Sequence, residues 1–217
     1  MKRLLLLLSL TFTIAAAFSQ EFYGGLVVGG TMSQIGGDAR GGYHKAGVVG
    51  GAFAGLNLNS DFDIQMELKY IQKGSFSGDL ENDFYAPFLI KLDYVDLPVV
   101  VSYNLNKINI NNVNMKWLKL EFGLSLDVLV KARQEIQGQY VQASDPWRRL
   151  VVNTVLGVRF EVSENIDVGL RTINAMTSIC TPASFQYSNG VVQYVRRILP
   201  NYGMFNDVLQ LSMFWKL

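Results

Sequence analysis

The 217-residue chain carries one cysteine, Cys180, and one histidine, His44. A single thiol excludes an internal disulfide. One imidazole and one thiol, without a spaced ligand group around them, exclude a metal cluster of the usual donor sets. Charge is sparse as well, at 17% of residues, and 19 basic against 18 acidic side chains leave a formal net charge of +1. Nucleic-acid binding needs a clustered basic excess, which this balance does not supply. Long apolar runs are missing too: beyond residue 20 no stretch reaches the roughly 18 residues of a transmembrane helix. What is present is 49% hydrophobic residues, 20 glycines and 12% aromatics. That mixture excludes disorder and suits many strands joined by tight turns within one domain.

The first residues have the layout of an export signal. Lys2 and Arg3 form a basic start, Leu4 to Ala17 an apolar stretch, and Ala17 and Ser19 place small residues before a cut at Gln20. Residues 1–19 are therefore expected to be a cleaved secretory signal peptide and residues 20–217 one β-domain. The competing reading is a first transmembrane helix, which the polar Gln20 and Glu21 disfavour. No cysteine follows the apolar stretch, so a lipoprotein anchor site is lacking.

The rest of the chain alternates with a period of two, the mark of strands with one apolar face. Phe62, Ile64, Met66, Leu68 and Tyr70 fall on one face; Asp63, Gln65, Glu67, Lys69 and Lys73 fall on the other, with Ile71 as the exception. Trp117 to Lys131 gives an apolar face of Leu118, Leu120, Phe122, Leu124, Leu126, Val128 and Val130, with Lys119, Glu121, Ser125, Asp127 and Lys131 opposite. Similar segments run over Ala46–Leu58, Tyr94–Tyr103, Leu150–Val162, Ile166–Thr172 and Asn206–Leu217. A first strand, about Phe22 to Met32, is too rich in glycine for its faces to be assigned. The total is eight strands.

A soluble sandwich or lipocalin also alternates, with its apolar face inward. Three features favour a membrane barrel. Connections alternate between tight turns at 59–61 and 163–165, with a somewhat longer one at 104–114, and long loops at 33–45, 75–89, 132–148 and 178–203. Several segments reach the roughly nine to eleven residues needed to cross a bilayer. Phe62, Tyr103, Phe160 and Trp215 fall near the short-turn ends, and Tyr70 near a long-loop end, as expected of rings at headgroup level. The predicted fold is thus an all-β, eight-stranded antiparallel transmembrane β-barrel with short periplasmic turns and long extracellular loops.

In lipid the apolar face points outward and the charged face lines the interior. The predicted interior holds Asp63, Glu67, Asp96, Glu121, Asp127, Glu161 and Asp167 against Lys69, Lys73, Lys119, Lys131, Arg159, Arg171 and Lys216. An eight-stranded barrel is just wide enough for side chains to fill it. Equal numbers of acids and bases then predict a salt-bridged plug, built around Asp63, Glu67, Lys69, Asp96, Lys119, Glu121, Asp127, Arg159, Glu161 and Arg171. A proton path or a catalytic carboxylate pair is the alternative. No catalytic, cofactor or metal site is expected. His44 reads as a solvated loop residue, Cys180 as an unpaired loop thiol, and the glycine pairs Gly36-Gly37 and Gly41-Gly42 as loop flexibility. Trp147 and Phe185 fall in long loops where exposed aromatics could bind a partner, and Val191–Leu199 is expected to hold a short ordered piece.

Four segments carry a family resemblance. Met66-Glu67-Leu68-Lys69-Tyr70-Ile71-Gln72-Lys73-Gly74 resembles a glutamate-leucine-x-tyrosine strand ending in lysine-glycine. Asp93-Tyr94-Val95-Asp96-Leu97-Pro98 resembles a tyrosine-x-acid-x-proline strand. Leu120-Glu121-Phe122-Gly123 and Gly169-Leu170-Arg171 resemble a leucine-glutamate-x-glycine and a glycine-leucine-arginine strand. Their order is similar to that of the PorT-like family of outer-membrane β-barrel proteins from Bacteroidetes-type bacteria. The resemblance implies an outer-membrane barrel without a catalytic set to transfer. The last strand departs from the usual insertion signal, ending in Leu217 with its last aromatic, Trp215, two residues earlier. The expected function is non-enzymatic, structural or interaction-based, through the extracellular loops of a plugged barrel in the cell outer membrane. Alternatives are an accessory component of a protein secretion or gliding-motility system, and an outer-membrane lipid hydrolase or acyltransferase. Expected partners are outer-membrane lipid, the barrel-assembly machinery during insertion, and cell-surface or secretion-system proteins. No cofactor and no nucleic acid are expected.

Overall fold

The structure is a computed structural model that describes residues 21–38, 42–77, 87–105, 109–110, 113–136, 139–140, 147–180, 195–196 and 202–217. The signal-peptide segment and Phe185 lie outside the described residues.

Eight long strands are present: β1 (Phe22–Gly36), β2 (Lys45–Asn57), β3 (Phe62–Ser77), β4 (Phe88–Asn104), β5 (Leu118–Ile136), β6 (Leu150–Ser163), β7 (Ile166–Ala175) and β8 (Phe205–Lys216). Each pairs antiparallel with its neighbour in sequence, and β8 pairs with β1 to close the ring. Closure leaves the barrel wall no free edge, the condition for crossing a bilayer with strands. Short two-residue ladders decorate the connections: Asn109–Ile110 with Val113–Asn114, Gln139–Tyr140 on the end of β5, and Val195–Arg196 with Tyr202–Gly203. The ordered piece expected within Val191–Leu199 is represented by Val195–Arg196.

The connections 58–61, 105–117 and 164–165 fall at one end and 37–44, 78–87, 137–149 and 176–204 at the other; the connection 105–117, expected to be short, is as long as 137–149. The strands outrun the sequence-based limits at the long-loop end; β3 continues to Ser77 and β5 to Ile136. The outer wall is apolar: Leu120, Phe122, Leu124 and Leu126 are exposed, while Glu121, Ser125 and Asp127 between them are buried. So large an apolar exterior would aggregate in water but matches the solvent in a bilayer. The glycine-rich β1 also acquires faces, with Leu26, Val28 and Met32 outward and Val27, Thr31, Ser33 and Ile35 inward. At the short-turn rim, Phe62 and Tyr103 pack with ring centroids 5.0 Å apart, and Trp117 stacks on Phe160 at 5.8 Å.

The structure departs from the predicted register in two places. In β5, Tyr94 stands opposite Leu129 but Asp93 stands opposite Lys131, so Val130 is an extra, bulged residue. A bulge inserts one residue into one strand and reverses the faces beyond it. Lys131, expected inside, is therefore exposed on the outer surface. In β6 a second shift lies where Ile166 opposes Ser163 and Asp167 opposes Glu161. Glu161 keeps its inward register but sits at the open rim and is exposed, so it is not part of the buried interior.

The interior is also less uniform than a charge-lined tube. Towards the long-loop end it is mainly apolar, with Ile35, Val49, Ile71, Ile90, Leu92, Tyr94, Val151 and Ile173 buried together beside a few polar groups such as Ser75 and Asp38, bonded to each other at 2.6 Å. Residues of two long loops close over them. Trp147 bridges to Cys180, the Arg148 N–H donates to the Ile179 carbonyl at 2.8 Å, and Ile179 N–H donates to Met204 at 2.9 Å. Trp147, expected to be an exposed loop aromatic, is only 8% exposed, and Cys180 is fully buried. Both pack into the apolar cluster at the barrel mouth, which removes their surface from water.

Candidate functional site: the lumen

The half of the lumen nearer the short turns collects the charged side chains. Alternation sends every second residue of each strand inward, so acids and bases from different strands converge across a narrow bore. Arg171 of β7 is the centre. Its Nε lies 2.6 Å from Glu121 Oε2 and one terminal nitrogen 3.0 Å from Oε1 of the same carboxylate, a two-pronged pairing. Its other terminal nitrogen reaches Glu67 Oε1 at 2.8 Å. Arg159 of β6 adds an ion pair to Glu121 at 2.6 Å, a hydrogen bond to the Gln65 side-chain Oε1 at 2.9 Å and a longer approach to Asp167 at 3.9 Å. The Gln65 amide donates in turn to Glu67 at 2.7 Å.

Lys69 lies 3.1 Å from Glu67 and 3.5 Å from Asp96, and it also donates to Gln210 at 3.2 Å. Lys73 pairs with Asp127 at 2.6 Å. At the rim, Lys119 meets Asp63 at 3.2 Å and Lys216 meets Asp167 at 2.9 Å; both lysines remain partly exposed. Of the predicted network, Asp63, Glu67, Lys69, Asp96, Lys119, Glu121, Asp127, Arg159 and Arg171 come together, and Glu161 does not. Asp167, Lys73 and Lys216 join them.

Two features of the network escape an alternation count. Phe214 of β8 points inward, and both guanidinium groups lie over its ring, with Arg159 Cζ 3.9 Å and Arg171 Cζ 4.9 Å from the centroid. Guanidinium groups favour such flat apolar faces. Glycine supplies the room. A Cβ on Gly157 would come within 2.7 Å of Arg171 Cγ, and one on Gly169 within 2.9 Å of the Phe214 ring. The signal was present in the sequence as two inward glycines beside an arginine strand, but only the register gives it meaning.

The geometry suits a static network better than a reaction centre. Each guanidinium is bound by more than one acceptor, and buried charges that hold one another resist displacement. Among the described residues no group of three or more His, Cys, Asp and Glu is placed to hold a metal ion. His44 is exposed near the start of β2, remote in sequence and register from these carboxylates. In the long-loop region burial pushes the Cys180 thiol above its ordinary pKa, which makes it a poor nucleophile.

No curated protein matches the sequence significantly. Among solved structures, the chain is similar to Ail, the attachment invasion locus protein of Yersinia pestis, solved in complex with the heparin analogue sucrose octasulfate. That similarity has 10% identity and a TM-score of 0.47, over 91% of this chain and 99% of the other. It is also similar to Neisserial surface protein A, at 11% identity and a TM-score of 0.43 over the same shares of the two chains. Residues 13–180 match the family model described as the outer membrane protein beta-barrel domain, which is most of the chain. The closed ring, the apolar exterior and this match agree, and the chain belongs to the outer membrane protein beta-barrel domain family, with the outer membrane as its location.

Proposed function

We propose that this protein is a non-enzymatic outer-membrane barrel with an occluded lumen, acting in a structural or interaction role through its extracellular surface. The observation that carries this reading is the full burial of Arg159 and Arg171 in mid-lumen, each held by carboxylates from other strands. The apolar seal of Ile179, Cys180, Met204 and Phe205 across the mouth supports it further. Ion passage would require breaking both layers. The protein reconstituted in planar bilayers is therefore expected to show no stable open level, and steps of porin size would overturn the proposal. Export through a cleaved signal peptide at residues 1–19 belongs to the same reading; the N-terminal residue of the mature protein tests it.

One observation favours a finer family assignment. The four strand motifs that resemble PorT-like barrels contribute Glu67, Lys69, Asp96, Glu121 and Arg171, which are neighbours in the network. A motif set that encodes one buried cluster supports common descent better than four scattered matches. It favours, as a second reading, an accessory role in a protein secretion or gliding-motility system. Secretion or motility components retained by a tagged barrel under mild detergent are the expected result of that reading. A barrel that returns only assembly machinery and lipid speaks against it.

A further inference from the structure

The bulge at Val130 does more than break the alternation. Beyond it, Lys131 and Arg133 turn outward on β5, while Ala132 and Gln134 turn in. Arg133 then stands directly opposite Lys91 of β4, and Lys131 opposite Asp93. On the next strand, Arg148 and Arg149 immediately precede Leu150, with the Arg149 carbonyl accepting from the Leu129 N–H at 2.8 Å. Four of these five cations are exposed and Lys91 is half-buried. None of them forms an ion pair among the described residues. The acids on this face are Asp93 and Glu135.

The position of the cluster is informative. It begins where the lipid-facing apolar wall ends, just above Val95, Val128 and Leu150, on the long-loop side of the barrel. That is the headgroup level of the outer leaflet. Like charges directly opposite across a ladder are destabilising by themselves, so Lys91 opposite Arg133 calls for an anion between them. The far side of the barrel at the same level carries Gln34, Asn174 and Asp207 instead, with the Asn174 amide bonded to Asp207. The basic face is one-sided.

We propose that Lys91, Lys131, Arg133, Arg148 and Arg149 form a binding site for the phosphorylated headgroup of an outer-leaflet glycolipid, whose acyl chains lie on Val128, Val130 and Leu150. Val130 and Leu150 are well exposed for this. Arginine and lysine supply several donors for phosphate oxygens, and a β-bulge is a recurrent device for re-aiming side chains at a site.

The test is native mass spectrometry of the full barrel folded in detergent. The probes are bisphosphorylated hexa-acyl lipid A, the same lipid stripped of phosphate, and inorganic pyrophosphate. The phosphorylated lipid should bind at least ten-fold more tightly than the stripped one, and binding should weaken as salt rises. Lys131→Gln with Arg133→Gln, or Arg148→Gln with Arg149→Gln, should each remove about ten-fold. Lys116→Gln at the opposite rim should change nothing. Equal binding of stripped and phosphorylated lipid would overturn the proposal on the unmutated protein alone, whatever the variants do. Displacement of the lipid by an equal concentration of pyrophosphate would also overturn it, by reducing the face to a free-anion site.

Discussion

The two halves of the lumen fill the same narrow space by opposite means. Near the short turns the filling is ionic, with Glu67 and Glu121 clamped by Arg159, Arg171 and Lys69. Near the long loops it is mainly apolar, with Ile71, Leu92, Tyr94, Ile173 and Phe205 packed around the returning loop residues. The wall explains the ionic half. Its outward side is already apolar for lipid, and an all-apolar strand in the membrane zone would lose the alternation that fixes its register. A charged inner face makes a one-residue slip costly, because it would drive carboxylates into lipid. Beyond the membrane the constraint relaxes. There the strands stand in water, and an apolar interior with a polar exterior is the ordinary solution. The basic residues outside β4 and β5, set over Leu92 and Ile90 inside, mark that change.

If this comparison is right, the halves should fail differently. The largest effect is expected from Arg171→Met, which strands Glu67 and Glu121 without their main partner. Breaking a buried pair on one side costs about 3–5 kcal/mol, since a charge remains uncompensated. Urea titration of the barrel in liposomes, followed by the heat-modified shift on gels, should show a loss of about that size. A loss under 1 kcal/mol would mean that Arg159 and Lys69 alone suffice. A smaller effect is expected from Ile179→Ala in the loop seal. Deleting a buried isoleucine costs about 2–5 kcal/mol, and a loop can collapse around the gap, so about 2 kcal/mol is expected. Its signature is local: alkylation of Cys180, expected to be slow in the intact protein because the thiol is buried and its pKa raised, should accelerate while the gel shift persists. Arg171→Met should leave that alkylation rate unchanged at low urea. If both variants expose Cys180 equally, the lumen is one cooperative unit and not two.

The strands, their number and most of the ionic half were legible in the sequence because alternation and charge share one period. The apolar half was hidden for the same reason. Where both faces of a strand become apolar or mixed, a period of two leaves no trace, and the only visible sign was Ile71, the exception on β3. That residue is the first of the apolar layer, opposite Tyr94. Phe53 and Phe214 were missed likewise, as single inward aromatics among small or polar neighbours. The bulge at Val130 inserts a residue without a glycine or proline to announce it, and so Lys131 was placed on the wrong side. Trp147 and Cys180 looked like loop residues because the loop's return into the mouth depends on long-range packing. Gly74 is the reverse case. Its place after Lys73 looked like a motif ending, but its φ of 140° and an Ile90 carbonyl 2.0 Å from any added Cβ show a backbone demand that only glycine meets.

The smallest expected effect lies at the border between the halves, where Lys73 pairs with Asp127. The pair is fully buried, yet Lys73 lies 5.6 Å from the Tyr94 ring centroid and has Leu92 opposite it on β4. Asp127 opposes Asp96 on the neighbouring strand, so two carboxylates share that level with Lys69 and Lys73 between them. Desolvating both ions offsets most of their attraction, and replacing such a pair with apolar residues of similar volume is often neutral or stabilising. The double variant Lys73→Met with Asp127→Leu would move the border down by one layer and relieve the opposition to Asp96. A change within about 1 kcal/mol of zero is expected, against a loss of about 3 kcal/mol or more for Lys73→Met alone, which leaves Asp127 buried beside Asp96. The coupling between the two single changes, read by the same urea titration, is the decisive quantity. If the double variant loses as much as the single one, the ionic layer extends through the border. The pair would then belong with Glu67 and Arg171 and not stand as an ionic outpost in the apolar half.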